Sequence, residues 1–137
     1  MTTSMTTANP PPVTGVTPHL QLSDASAAAD LYVRAFGAEI VQKMPADDGK
    51  RLMHCFVRIN NGNLFIADPF PEAGCPLQPL SGVALHLQVA DVDAWWQRAR
   101  SAGLEVTMEL QDMFWGDRYG QLRDPFGVTW SLAGRKA

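Results

Sequence analysis

Apolar and polar residues alternate from His19 to Asp24, with Leu20 and Leu22 on one side and His19 and Gln21 on the other. The pattern returns further along the chain, where Leu85, Leu87 and Val89 alternate with His86 and Gln88 and Asp91 follows. A period of two marks a strand with one face in a core. After each aspartate the apolar spacing becomes helical: Ala28, Leu31, Tyr32 and Ala35 in residues 25–36, then Val92, Trp95, Ala99 and Ala102 in residues 92–102. The second stripe leaves Trp96 off the core side, as a candidate for a dimer contact or an exposed patch. Asp24 and Asp91 stand where a capping carboxylate accepts the free N–H groups of a helix's first turn. Gly37 and Gly103 stand where helices end in left-handed backbone. One supersecondary unit therefore occurs twice.

The remaining segments complete each copy. Residues 38–44 and 51–59 read as strands separated by the turn residues Pro45-Ala46-Asp47-Asp48-Gly49. Asn60-Asn61-Gly62-Asn63 is a hairpin signal leading into a strand at 64–67, because Asn and Gly tolerate the positive φ of tight turns. Residues 69–80 hold Pro69, Pro71, Pro76 and Pro79 and form a connector. Strands at 104–110, 119–123 and 128–132, with the turn Asp124-Pro125-Phe126-Gly127, repeat the order. Each half is β-α-β-β-β: residues 15–68 and 81–134 of one domain spanning 15–134, preceded by a disordered tail at 1–14.

Bulk properties narrow the function classes. A chain of 137 residues with 46% apolar content is large enough to bury a core. A net charge of −3 with 11 Lys and Arg gives no basic field for nucleic acid or an anionic membrane. No apolar run approaches the roughly 20 residues that cross a bilayer. Cys55 and Cys75 match no zinc or redox spacing. Without a signal-like segment at the start they are expected as free thiols in a cytoplasmic protein.

One helix per four strands covers one sheet face and leaves the other open. Leu20, Leu22, Leu87 and Val89 should turn toward the helices, so His19, Gln21, His86 and Gln88 fall on the open face. If the first strands of the two halves pair, these four line one cleft, the usual form of a small-molecule site. Phe114 to Tyr119 sets Phe, Trp and Tyr around Gly116, Asp117 and Arg118. Such a segment can close over a flat ligand with Arg118 reaching an anionic group. Alternatively, Asp117 and Arg118 pair with each other and Trp115 fills core or dimer interface.

Several stretches resemble the vicinal oxygen chelate superfamily, in its glyoxalase/bleomycin-resistance-like (PhnB-like) branch. They are Thr17-Pro18-His19-Leu20, Ala35-Phe36-Gly37-Ala38-Glu39, Met53-His54, Phe114 to Gly120, and Asp124-Pro125-Phe126-Gly127 with Trp130-Ser131-Leu132. The resemblance spans residues 16–133. It implies an α+β fold of two βαβββ modules in a cup-shaped, eight-stranded mixed sheet, and usually a homodimer. Metalloenzymes of the superfamily carry His or Glu ligands on the first and last strands of each module. Counting from the motifs puts those positions at Thr17, Ala84, Ser131 and about Ile66, none of them His or carboxylate. No metal and no cofactor are expected. His19 and His86 each lie two residues past a vacant position, and either line the cleft as hydrogen-bonded histidines or form a displaced metal site.

The expected ligand cleft thus comprises His19, Gln21, His54, His86, Gln88, Trp115, Arg118, Tyr119 and Ser131, with catalytic residues unassigned. The leading expectation is a metal-independent small-molecule-binding protein, with an aromatic or peptide antibiotic as a plausible ligand. The alternative is a glyoxalase-like lyase or isomerase, or a dioxygenase, with a divalent metal at His19 and His86.

Overall fold

The periodicities are realised as secondary structure in the computed structural model, which describes residues 12–136. Apart from residues 12–14, the expected N-terminal tail lies outside them. In chain order the elements are β1 (His19–Gln21), α1 (Ala25–Phe36), β2 (Glu39–Pro45), β3 (Leu52–Ile59), β4 (Gly62–Ala67), a 3₁₀ turn (Pro71–Ala73), β5 (Ala84–Gln88), α2 (Val92–Ser101), β6 (Glu105–Asp112), β7 (Asp117–Arg123) and β8 (Thr129–Arg135). This is βαβββ twice, the α+β class expected.

Local chemistry sets the boundaries. Asp24 Oδ1 accepts from the Ala27 amide at 3.0 Å, and Asp91 Oδ1 from that of Ala94 at 3.2 Å. Helix α1 stops at Gly37, whose left-handed backbone (φ 65°) lets its N–H return to the carbonyls of the last turn. Asn60 and Asn61 both adopt positive φ and link the paired residues Ile59 and Gly62, which closes the β3–β4 hairpin.

The eight strands form two four-stranded mixed sheets, ordered β1-β4-β3-β2 and β5-β8-β7-β6. In each, the first strand runs parallel to the last strand of its own module: His19 lies opposite Phe65, and His86 opposite Ser131. The residues group into two compact units. One holds the first module through Gln78 except Arg34–Phe36, and the other holds those three residues with Pro79 onward.

In the first module the α1 stripe of Ala28, Leu31, Tyr32 and Ala35 is buried as expected. The sheet buries Leu20, Ile66 and Cys55 along one register row. Asp68, itself buried, accepts from the Ala25 amide at 3.0 Å and the Leu52 amide at 2.6 Å, tying the start of α1 to the start of β3. Burial pushes the Cys55 thiol up to about 11, so it stays protonated and inert. Cys75 is also a free thiol, but exposed.

The second module corrects one expectation. Helix α2 buries Val92, Trp96 and Ala99, and Trp95 is the half-exposed partner of the tryptophan pair. The stripe follows i, i+4, i+7 from Val92, which carries it through Trp96. Sheet glycines make room for it. A Cβ on Gly120 would lie 2.6 Å from the Trp96 ring, and one on Gly134 would lie 3.0 Å from Val92 Cβ. Trp130 is buried in the same unit and meets Phe36 at 4.7 Å between ring centroids. Asp124, of the Asp-Pro-Phe-Gly turn, is buried and accepts from the amides of Phe126 (2.9 Å) and Val128 (3.0 Å) and from Trp130 Nε1 (3.0 Å). Its conspicuous motif is therefore a structural clamp at the entry to β8.

Candidate functional site

The open sheet face of the second module is built by alternation. Residues His86 and Gln88 on β5, Ser131 and Ala133 on β8, and Tyr119 and Gln121 on β7 are joined by cross-strand register and point to one side. The central strand contributes only small residues there. Ser131 and Ala133 are 3% and 2% exposed, and the rings of His86 and Tyr119 on either side come within 6.2 Å of each other at an interplanar angle of 17°. Trp115, at the tip of the β6–β7 hairpin, extends the ring row with its centroid 6.0 Å from Tyr119.

A hydrogen-bonded chain runs beneath these rings. Ser131 Oγ lies 2.7 Å from His86 Nδ1, and His86 Nε2 lies 2.8 Å from Gln88 Oε1. Gln88 Nε2 donates to Asp117 Oδ2 at 3.2 Å. Gln121 Nε2 donates to the Tyr119 hydroxyl at 2.9 Å. Of the expected cleft residues, this face assembles His86, Gln88, Trp115, Tyr119 and Ser131.

Arg118 is not with them. It pairs with Asp93 of α2 at 3.2 Å and with Asp112 of β6 at 3.1 Å, on the helix side of the sheet. Those carboxylates hold its guanidinium above the usual arginine range, Asp112 most of all. Asp117 and Arg118 do not pair with each other either, because neighbours in a strand point to opposite faces. Asp117 and Gln121 belong to the site and were missed. Had β7 been started at Asp117, the period-two reading would have placed Asp117, Tyr119 and Gln121 on one side and Arg118, Gly120 and Leu122 on the other.

The first module has its own open face, carrying His19, Gln21 and His54. Here the register partner of His19 on the last strand is Phe65. Its ring receives His19 (6.2 Å, 80°), His54 (4.7 Å, 81°) and Phe56 (5.4 Å, 76°) edge to face. Burial, and secondarily the nearby His19, lower the pKa of His54, which favours its neutral form. His19 stands opposite Phe65 as His86 stands opposite Ser131, so the first-module equivalent of Ser131 is Phe65. Ile66, the counterpart expected from sequence, points to the other side and is fully buried.

These donors do not suit a divalent metal. The positions that the resemblance assigns to metal ligands carry Thr17, Ala84, Ser131 and, by the observed register, Phe65, and the Ser131 hydroxyl is engaged by His86. Among the described residues, no three His, Cys, Asp or Glu side chains converge on a point where they could hold one.

With the fold and this face in view, comparison with known proteins is specific. The family model for the glyoxalase/bleomycin resistance protein/dioxygenase superfamily matches residues 14–132. An uncharacterized protein of Mycobacterium tuberculosis (strain ATCC 25618 / H37Rv) is 45% identical over 123 residues, covering 85% of this chain and 72% of its own. TioX from Micromonospora sp. ML1 superposes with a TM-score of 0.70 at 25% identity, over 90% of this chain and 98% of that one. TnmS3, an antibiotic binding protein from Streptomyces sp. CB03234, gives a TM-score of 0.66 at 28% identity, over 90% and 98% of the two chains. Fold, repeat and family model agree, and the chain belongs to the glyoxalase/bleomycin resistance protein/dioxygenase superfamily.

Proposed function

We infer that this protein binds a flat small molecule on the open face of its second module without a metal, and that its role is sequestration of the ligand rather than its conversion. The observation that carries this reading is the pair of near-parallel rings, His86 and Tyr119, above a floor of Ser131 and Ala133. A planar group between them needs ring centroids about 7 Å apart, twice the roughly 3.5 Å of van der Waals contact. The rings, at 6.2 Å, part by about 1 Å to admit it. Trp115, 50% exposed, and Phe114, 96% exposed, offer further apolar surface at the hairpin tip, either to the ligand or to a second copy in a homodimer. The likeness to TnmS3, an antibiotic binding protein, makes antibiotics the first ligands to try, and the ring pair favours flat aromatic ones among them.

Metal-dependent lyase, isomerase or dioxygenase chemistry is less well supported, because the ligand positions lack imidazole and carboxylate donors. The test is thermal unfolding of chelator-treated protein against a panel of flat aromatic and peptide antibiotics. Binding to the folded state raises Tm, and the rise grows roughly with the logarithm of ligand concentration above Kd. A rise without metal is expected. A rise or turnover that appears only after adding Zn²⁺, Ni²⁺, Mn²⁺ or Fe²⁺ contradicts the reading.

A further inference from the structure

We propose that the Ser131–His86–Gln88–Asp117 chain is a polarised relay that makes the Ser131 hydroxyl oxygen a dedicated hydrogen-bond acceptor, so that the ligand bound above it must present an O–H or N–H group from its flat ring system. The proposal rests on the binding face inferred above and specifies the chemistry of its occupant.

The direction of each bond follows from its neighbour. Asp117 is a carboxylate and can only accept, so the Gln88 amide must turn its nitrogen toward it, as it does at 3.2 Å. Gln88 then offers His86 only its oxygen, 2.8 Å from Nε2, and that nitrogen must carry the imidazole proton. In the neutral ring Nδ1 is consequently bare, and the Ser131 hydroxyl 2.7 Å away must donate to it. All three donors point the same way, from Ser131 toward the Asp117 charge. Aligned hydrogen bonds polarise one another, which leaves the Ser131 oxygen richer in electron density and with its only proton committed. What it offers a molecule entering between His86 and Tyr119 is lone pairs. A ring hydroxyl or ring N–H satisfies them, whereas an ether or carbonyl oxygen at the same place meets acceptor with acceptor, leaving buried groups unpaired.

The experiment uses naphthol and its methyl ether, two flat probes that differ in the single donor, titrated into the full chain with affinity read by NMR. Naphthol should bind at least about tenfold more tightly than the ether. Ser131→Ala should remove most of that preference, weakening naphthol binding and relieving the acceptor–acceptor clash that penalises the ether. Gln88→Leu, which preserves Ser131, should weaken the preference and mix the two imidazole tautomers of His86. In the parent protein, imidazole nitrogen shifts recorded in mildly alkaline buffer should show Nε2 protonated and Nδ1 bare. Equal binding of the probes, or an unchanged preference in a folded Ser131→Ala protein, overturns the relay but leaves the binding face standing. Binding of neither probe overturns both. An Nδ1-protonated His86 overturns the assigned direction whatever the affinities.

Discussion

The two modules share element order, sheet order and aspartate N-caps, yet their open faces differ, most tellingly at one register position. Opposite the histidine of the first strand, the first module has Phe65 and the second has Ser131. Phe65 fills its face and collects three rings edge-on, which leaves His19 and His54 as the rim of an apolar cluster. Ser131 brings no ring to the equivalent position, and the rings of His86 and Tyr119 approach each other in near-parallel orientation on either side of it. A duplicated unit has thus kept one sheet face as packing, and the other carries the polar residues and rings on which the proposed binding rests.

The comparison can be broken most severely at the turn that delivers β8. Asp124→Ala strands two amides and the Trp130 indole N–H without their buried acceptor, at a cost of about 3–5 kcal/mol. Chemical denaturation should show that loss. Next comes exchange of the distinguishing residues. Ser131→Phe should abolish naphthol binding by filling the space between the rings, with an overpacking cost of about 1–3 kcal/mol. Phe65→Ser should cost about 2 kcal/mol, less than for a fully buried phenylalanine because Phe65 is partly exposed, and should leave naphthol affinity unchanged.

A smaller effect separates the histidines. The depressed pKa of His54 means that the unfolded chain takes up its proton before the folded one does. Stability is therefore full above the ordinary value of 6.5, declines as pH falls below it, and levels off once pH has passed the folded value. Urea midpoints measured from neutral to acidic pH should fall less steeply in His54→Gln than in the parent. The smallest effect is expected from Arg118→Met: a slight loss of stability from its ion pairs and no change in probe binding, since Arg118 lies on the helix side.

Most of the fold was legible because it rests on local signals. The capped helices, the Asn60-Asn61 hairpin and the repeat itself are written in neighbouring residues. The errors arose where a choice depended on the partner surface. Val92, Trp95 and Ala99 satisfy helical spacing nearly as well as Val92, Trp96 and Ala99, and what selects Trp96 is the absence of a side chain at Gly120, where the Trp96 ring packs. The site was legible in part. Alternation in β5 found His86 and Gln88, but a strand start two residues late hid Asp117 and misassigned Arg118. The contrast between Phe65 and Ser131 needed the parallel register of β1 with β4 and of β5 with β8, a long-range pairing that alternation within one strand does not specify.

The central claim is that the open face of the second module, and not that of the first, is the binding face. Mapping amide and side-chain shift changes onto both modules as naphthol is added tests it most directly. Changes concentrated at His86, Tyr119, Gln121 and Ser131 and quiet at His19, His54 and Phe65 are the predicted result. Changes centred on Phe65 and His54 would contradict it.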